Sequence, residues 1–316
     1  MAINAPTSLS NFTGFLNPQE SAPIFNDAAK QSAFQQLIRR VPLGINGQAI
    51  PVTTGKPTAK WTAEGAKKHA TETGLELLHI KPQKLTAFGV LSAETVRANP
   101  GNITQELRTG ISSAFATAFD LAVAYNVGGD GTGTGPFDNY LNETTKSVEL
   151  GSTPQVEGGI HGDFTEGLSL LVNDGKKLTG WALDDTVEPM IWGAVDGNGR
   201  PLYTELPTDD VSDSLARPGR LLNRPSFMGE GVGQAVPTEV LTPYTVGFGG
   251  NFAKAAWGAV GGIHFRVSTE ATVTINGELV SAFENNLVIV LAEAEYGFVV
   301  ADTEAFVKLT ETTPAA

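Results

Sequence analysis

Residues that could carry chemistry are scattered thinly along this chain. The four histidines, His69, His79, His161 and His264, have no spacing that would hold a metal ion. No Gly-x-Ser-x-Gly occurs, so the hydrolase elbow is missing. Gly55-Lys56 and Gly175-Lys176 lack both the following Ser or Thr and the upstream glycine of a phosphate loop. The run Gly128-Gly-Asp-Gly-Thr-Gly-Thr-Gly-Pro136 is rich enough in glycine to cradle a phosphate. A dinucleotide fingerprint, however, follows a strand and opens a helix. This one follows a helical pattern and runs into proline, so it reads as a flexible exit between structural units. Asp196-Gly-Asn-Gly-Arg-Pro201 fails as a calcium loop, because Arg200 and Pro201 stand where a ligand and a glycine are needed. Asp184 and Asp185 remain as an acid/base candidate, but two adjacent carboxylates ahead of an apolar helix are far more often its cap. Lys67-Lys68 is too small a charge cluster for a nucleic-acid footprint. No catalytic, cofactor or metal site is expected, and the chain does not read as an enzyme.

The composition sets the same limits. The 316 residues carry a net charge of −13, which offers no general attraction to a polyanion such as DNA. Cysteine is absent, which excludes disulfides and thiolate metal sites. With 36 glycines and 17% charged residues, a strand- and loop-heavy globular protein is expected, and its length suits one or two domains. No run approaches 18 apolar residues, so no membrane span is expected, and Met1 to Phe12 lacks the pattern of a signal peptide. The three Asn-x-Thr triplets, at Asn11, Asn102 and Asn142, are read as chance.

The element that organises the chain is a helix pattern from Asn99 to Gly129. Asn102 is its N-cap, with Gln105 at the capping-box position. Ile103, Leu107, Ile111, Ala114, Phe115, Ala118, Ala122 and Tyr125 form one apolar stripe. Gly128 and Gly129 are expected to stop the helix, giving a rod of about 36 Å. Before it lie an irregular arm (1–24), a helix from Asn26 to Arg40 capped by Asn26 or Asp27, and a long hairpin. One leg of that hairpin is expected from Ile50–Thr54 and Lys60–Ala63, the other from Leu75–Lys81 and Leu85–Leu91, broken at Pro82. Six lysines, Lys56, Lys60, Lys67, Lys68, Lys81 and Lys84, make this stretch a basic island in an acidic chain. After the helix, 137–244 reads as an acidic α/β unit, with a helix capped near Asp163, a strand at Trp181–Leu183 and another at Leu221–Met228. The remainder is strand-rich. Ile263, Phe265 and Val267 alternate with polar residues, and Asn276-Gly277 suits a type I′ hairpin turn. Leu287–Ala292 and Tyr296–Val300 read as two strands, and Ala305–Leu309 as a last short one.

Trp61-Thr-Ala-Glu64-Gly, Lys81-Pro-Gln-Lys84-Leu, Gly249-Gly-Asn251-Phe252, Phe283-Glu-Asn-Asn286 with the apolar run to Glu293, and Ala305-Phe306-Val-Lys308 occur in this order along nearly the whole chain. In that order the sequence resembles tailed-bacteriophage major capsid proteins of the HK97-fold family. The resemblance implies an α+β fold with an N-terminal arm and short helix (1–44), an extended β-hairpin loop (45–85) and a peripheral domain (86–136) with a spine helix over 103–127. It further implies an axial domain (137–244) and a strand-rich return to the peripheral domain (245–316), with docking of the last strand on the axial domain left open. Lys56, Lys60, Trp61, Glu64, Lys67 and Lys68 would lie on the inter-subunit loop. Thr269, Glu270, Asn276, Gly277 and Glu278 would lie near a local threefold axis. Ile103, Leu107, Ile111, Phe115, Ala118 and Tyr125 would form the spine's core face.

The function so implied is a structural shell protein, self-assembling as pentamers and hexamers into an icosahedral virion capsid around double-stranded DNA. The DNA would be held without sequence-specific binding. Assembly would occur in the host cytoplasm, among many copies of the chain, and no membrane is involved. Because the chain opens on the arm, any scaffolding is expected to be a separate protein, alongside portal and cement or decoration proteins. No cofactor is expected. The alternative within the fold is an encapsulin-type compartment; a soluble enzyme or binding protein is the remote one.

Overall fold

The computed structural model describes residues 32–53, 57–70, 74–98, 103–195, 216–235, 242–275 and 277–312. The first described element is a five-residue helix, α1 (Ala33–Leu37), whose cap Ser32 accepts from the Gln35 N–H at 3.0 Å. The expected caps Asn26 and Asp27 lie outside the described residues. The helix does not reach Arg40 as its pattern predicted: Ile38 is extended, and Arg39–Arg40 form strand β1, parallel to β10 (Ala255–Ala259). Trp257 competes for this segment. Its indole N–H donates to the Ile38 carbonyl at 3.1 Å, and the Arg40 guanidinium lies 5.4 Å from its ring centroid.

The long hairpin is shorter than its pattern suggested. β2 (Gln48–Thr53) pairs with β3 (Leu75–Ile80), from Gln48↔Ile80 to Thr53↔Leu75. Lys60–Ala63 is not strand. It leads into a turn in which the Ala66 N–H donates to the Ala63 carbonyl at 3.1 Å and Gly65 takes φ +78°. Leu85–Leu91 belongs to β4 (Gln83–Ser92), which leaves the hairpin and pairs with β14 (Leu287–Val300). Pro82, which has no N–H for the ladder, sits at the changeover. A short helix not expected from the pattern follows, α2 (Ala93–Ala98), with the Thr95 N–H bonded to the Ser92 hydroxyl.

The spine, α3 (Ile103–Tyr125), ends two residues short of 127. It stops because Asn126 adopts the left-handed conformation, φ +52°, which asparagine tolerates at a helix end. Its expected cap Asn102 lies outside the described residues. Asn126 also closes the glycine-rich segment into a loop: its carbonyl accepts from the Gly135 N–H at 2.6 Å, and its Oδ1 accepts from the Phe137 N–H at 2.9 Å. A further bond joins the Gly128 N–H to the Thr132 carbonyl. The segment expected to be a flexible exit is therefore folded back and hydrogen-bonded. The predicted stripe holds at Ile111, Phe115, Ala118, Ala122 and Tyr125, with Leu107 half-buried, whereas Ala114 is exposed. From Phe115 onward the helix is buried nearly all round, because Phe119, Asp120, Val123 and Ala124 are buried too.

Two sheets share this core. In the five-stranded sheet, β14 takes β10 and β11 (His264–Ser268) along one edge and β4 along the other. β14 is one continuous strand where two were expected. Glu293 and Glu295 do not interrupt it; they continue a period-two alternation in which Ala292, Ala294 and Tyr296 point inward. The six-stranded sheet has the order β5 (Ser147–Glu149), β15 (Phe306–Thr312), β9 (Pro243–Gly250), β6 (Gly180–Leu183), β8 (Arg224–Met228) and β7 (Arg217–Leu221). Residues after 244 thus complete the sheet built by the α/β unit. β6 divides its side chains between two cores: Ala182 joins Phe248, Phe252 and Phe306, while Trp181 and Leu183 face Phe164 and Leu171 of α4 (Gly159–Asn173).

Two local expectations change. Asp163 lies inside α4 and caps the preceding loop instead, accepting from the N–H groups of Gly151 (2.6 Å) and Thr153 (3.0 Å). Leu221–Met228 is not one strand. It turns back at Leu222 and Asn223, whose φ values of +49° and +58° suit a tight hairpin.

Two pH predictions follow from the buried and paired carboxylates. Asp120 of α3 accepts from the Ser32 hydroxyl (2.5 Å) and the Ala33 N–H (2.9 Å), fastening α1 to the spine. Burial pushes its carboxyl up to about 7, against the pull of those bonds. The folded state therefore holds this proton more tightly than the unfolded one. The resulting stability is complete below the ordinary value of 3.8 and is lost as pH rises through about 7. Denaturant midpoints between pH 4 and pH 8 should fall with pH, and Asp120→Asn should flatten that decline; an equal decline in the variant would refute the assignment. Glu304 behaves oppositely. The Lys146 ammonium at 2.8 Å, with the Thr145 N–H and hydroxyl, holds its carboxyl down at about 2. That contribution is present above 4.5 and is lost as pH falls through about 2. Glu304→Gln should move the acid-unfolding midpoint upward; Glu304 is 37% exposed, so the shift should be small.

Candidate functional site

The surfaces with most to offer a partner are two hairpins. The first is the extended loop. Ile80 roots it, 1% exposed, against Leu43 and Ala256. Gly297 beneath it admits this contact, because a Cβ there would run into the Ile80 and Leu43 side chains. Beyond that root the hairpin leaves the body. Every residue from 57 to 70 is exposed, including Lys60, Glu64, Lys67 and Lys68, and Trp61 is 104% exposed, with no cover from its own chain. The Thr58 hydroxyl and His69 Nε2, 3.3 Å apart, tie the two sides of the loop. Lys56 lies outside the described residues. Leu75 and Leu77 add 75% and 59% exposed leucines on one face of β3. A two-stranded hairpin of this kind is marginal alone in water, and an apolar face left open on it points to covering by another surface.

The second hairpin pairs β12 (Thr272–Ile275) with β13 (Glu278–Ser281), closed by a two-residue turn with Gly277 at φ +85°. Asn276 lies outside the described residues. Glu270, Gly277 and Glu278 are exposed and Thr269 half-buried, and the Ser268 hydroxyl accepts from the Glu270 and Ala271 N–H groups. Leu279 and Phe283 stand out beside them, both nearly four-fifths exposed. The two hairpins are rooted at opposite ends of β14. The extended loop sits on Gly297, and the second hairpin returns through the Leu287 N–H bonded to the Ala282 carbonyl. At about 3.4 Å per residue the ten steps from Leu287 to Gly297 span roughly 34 Å.

The spine positions both. Phe119, which lies off the predicted stripe, is central to its packing: its ring lies 5.7 Å from that of Trp257, 5.3 Å from Tyr296 and 6.3 Å from Phe137. At the helix end, the Tyr125 hydroxyl donates to the Val232 carbonyl at 2.5 Å. Ile111, Phe115 and Ala118 are core as expected; the side chain of Ile103 lies outside the described set. The exposed residues that sequence reasoning missed are Leu75, Leu77, Phe88, Leu279 and Phe283. Alternation along a strand tells which residues share a face but not whether that face is covered, so no signal singled them out.

Elsewhere the polar residues do structural work. Asp184 Oδ1 accepts from the Thr186 N–H (3.0 Å) and hydroxyl (2.8 Å), and Oδ2 from the Gly233 N–H (3.2 Å). It caps the turn that leads into α5 (Glu188–Trp192), as the cap reading anticipated. Among the described residues no three of His, Asp and Glu gather as a metal site, and no helix is long and apolar enough to cross a membrane. Lys84 pairs with Glu293 at 3.0 Å, and that bond holds the Glu293 carboxyl below its ordinary value. Lys60, Lys67 and Lys68 make no ion pair among the described residues.

Comparison with known proteins agrees with this geometry. The family model described as the phage capsid family matches residues 13–310. The probable major capsid protein gp17 of Mycobacterium phage D29 is 39% identical over 310 residues, covering 97% of this chain and 93% of that protein. Its counterpart in Mycobacterium phage L5 is 39% identical over 317 residues, covering 97% and 92%. Among solved structures, a chain of Gordonia phage Cozz superposes with a TM-score of 0.70 at 24% identity, over 90% of this chain and 87% of that one. The mixed helix-and-sheet architecture is the HK97-like one anticipated from the ordered motifs. With its family model spanning nearly its whole length and two relatives well above 30% identity, the chain belongs to the phage capsid family.

Proposed function

We propose that this chain is a phage major capsid protein, a structural subunit of the virion shell that associates with copies of itself. The observation that carries the reading is the extended hairpin, rooted by Ile80 and wholly exposed from 57 to 70. Such an arm has no use on a monomer and gains its packing on a neighbouring copy. Subunits gather as pentamers and hexamers into an icosahedral shell around double-stranded DNA. The charge of −13 supports holding the DNA by confinement without specific binding. In this scheme 45–85 is the loop to a neighbour, 86–136 the peripheral domain, 137–244 the axial domain and 245–316 the return. Residues 269–283 meet their equivalents at local threefold axes. Assembly takes place in the host cytoplasm, with scaffolding, portal and decoration functions on other proteins. The end-to-end likeness to phage proteins favours a virion over a cargo compartment.

Electron microscopy of the expressed chain, alone and with the scaffolding protein of its phage, should show regular closed shells. A homogeneous monomer or dimer at high concentration in both cases would overturn the proposal. The basic loop gives a finer test. Lys67→Glu with Lys68→Glu should weaken assembly, and more at about 0.05 M salt than at 0.5 M, where screening is shorter-ranged. Equal assembly of variant and wild type at low salt would remove the loop's charge from the mechanism.

A further inference from the structure

The closed glycine loop leaves a cleft beside the spine. Its floor is Phe119, Ala122 and Tyr296, and its walls are Val127, Pro136 and Phe137. Gly129 allows this close arrangement, since a Cβ there would meet the Ala118 Cβ at 2.9 Å. The cavity is about 270 Å³ and mostly apolar. That is below the roughly 300–1,000 Å³ of small-molecule sites and suits a single ring system. Its polar lining comes from Gln83, Lys84, Thr134 and Tyr296, and Lys84 is already bonded to Glu293. Asp130 and Asp138, both exposed, directly follow its lining residues Gly129 and Phe137 in the chain.

The extended loop carries the complementary features. Trp61 is the most exposed of the large apolar side chains, and lysines 60, 67 and 68 lie around it in sequence. Thirteen chain steps lead from Gln48 to Trp61, a reach of up to about 45 Å in extended chain, which is enough to cross a neighbouring domain. We infer that Trp61 of one copy seats in the cleft between Phe119, Val127 and Phe137 of a second copy, with its flanking lysines facing Asp130 and Asp138. The aromatic floor offers edge-to-face packing to an indole, and an enclosed tryptophan is the residue type that most often dominates an interface. The inference rests on the hairpin reaching a neighbour, and it names where the tip lands.

The absence of cysteine makes the test clean. Thr62→Cys with Thr134→Cys keeps Trp61 and places one thiol beside it and one on the cleft. Assembled shells treated with a short bifunctional thiol reagent should yield a ladder of linked subunits on a denaturing gel. Thr62→Cys with Phe88→Cys, which probes the exposed outer face of β4, should not. Shells that form but give no ladder with Thr134→Cys, or give it only with Phe88→Cys, overturn the inference while leaving the shell function standing; failure of the wild type to form shells would count against the function itself. Trp61→Ala should raise the subunit concentration needed for assembly by at least about tenfold, with Trp61→Phe recovering most of it. Unchanged assembly of Trp61→Ala would also overturn it.

Discussion

The packing around Phe119 is the constraint on which the rest of the molecule depends. One ring, in the C-terminal half of the spine where it is buried nearly all round, touches Trp257 on β10, Tyr296 on β14 and Phe137 beyond the glycine loop. Each contact fixes a different piece of chain. Trp257 sets the end of α1 through the Ile38 carbonyl, Tyr296 sets the central strand, and Phe137 sets the first residue of the α/β unit. Core aromatics contribute several kilocalories through burial and shape. Here the same ring also ties the spine to the five-stranded sheet and to the start of the α/β unit.

Next to it, Asp120 supplies a polar counterpart. A carboxylate inside a helix and out of water is costly unless its oxygens are satisfied. Ser32 and Ala33 satisfy them, and the price of the arrangement is sensitivity to protonation near neutral pH. Gly231 packs so closely over this residue that a Cβ there would lie 2.7 Å from the Asp120 Cβ. The segment at 229–233 is thereby held to the spine at two points, Asp120 and Tyr125.

Much of this was legible in the residues. The spine was visible because its apolar period runs for more than five turns, and the Asn-Gly hairpin because its turn chemistry is local. The ordered motifs pointed to the family. What misled were places where tertiary partners override local pattern. Glu293 and Glu295 suggest a break to a reader of hydropathy, yet on a half-buried strand they are merely the outward positions. Gly128 and Gly129 suggest a helix stop, but Asn126 reaches the left-handed conformation first and then uses its own amide to close the loop. Phe119 fell off the stripe because a single stripe assumes one buried face, and this helix has more. The exposed hairpins were half legible: the lysines were visible as a basic island, while nothing in the pattern showed that Leu75, Leu77 and Phe283 stand uncovered.

The uninterrupted run of β14 has a mechanical consequence. Pairing along its whole length, with β4 on one edge and β10 and β11 on the other, sets the ladder hydrogen bonds across the strand direction. Tension applied along the strand loads many of those bonds at once, in shear. A pull at right angles would instead open them one at a time from an end. Because the two protruding hairpins are rooted toward its opposite ends, a pull applied through them would be carried along the stiffer axis, and the body between would resist stretching where a two-strand version would yield at the junction.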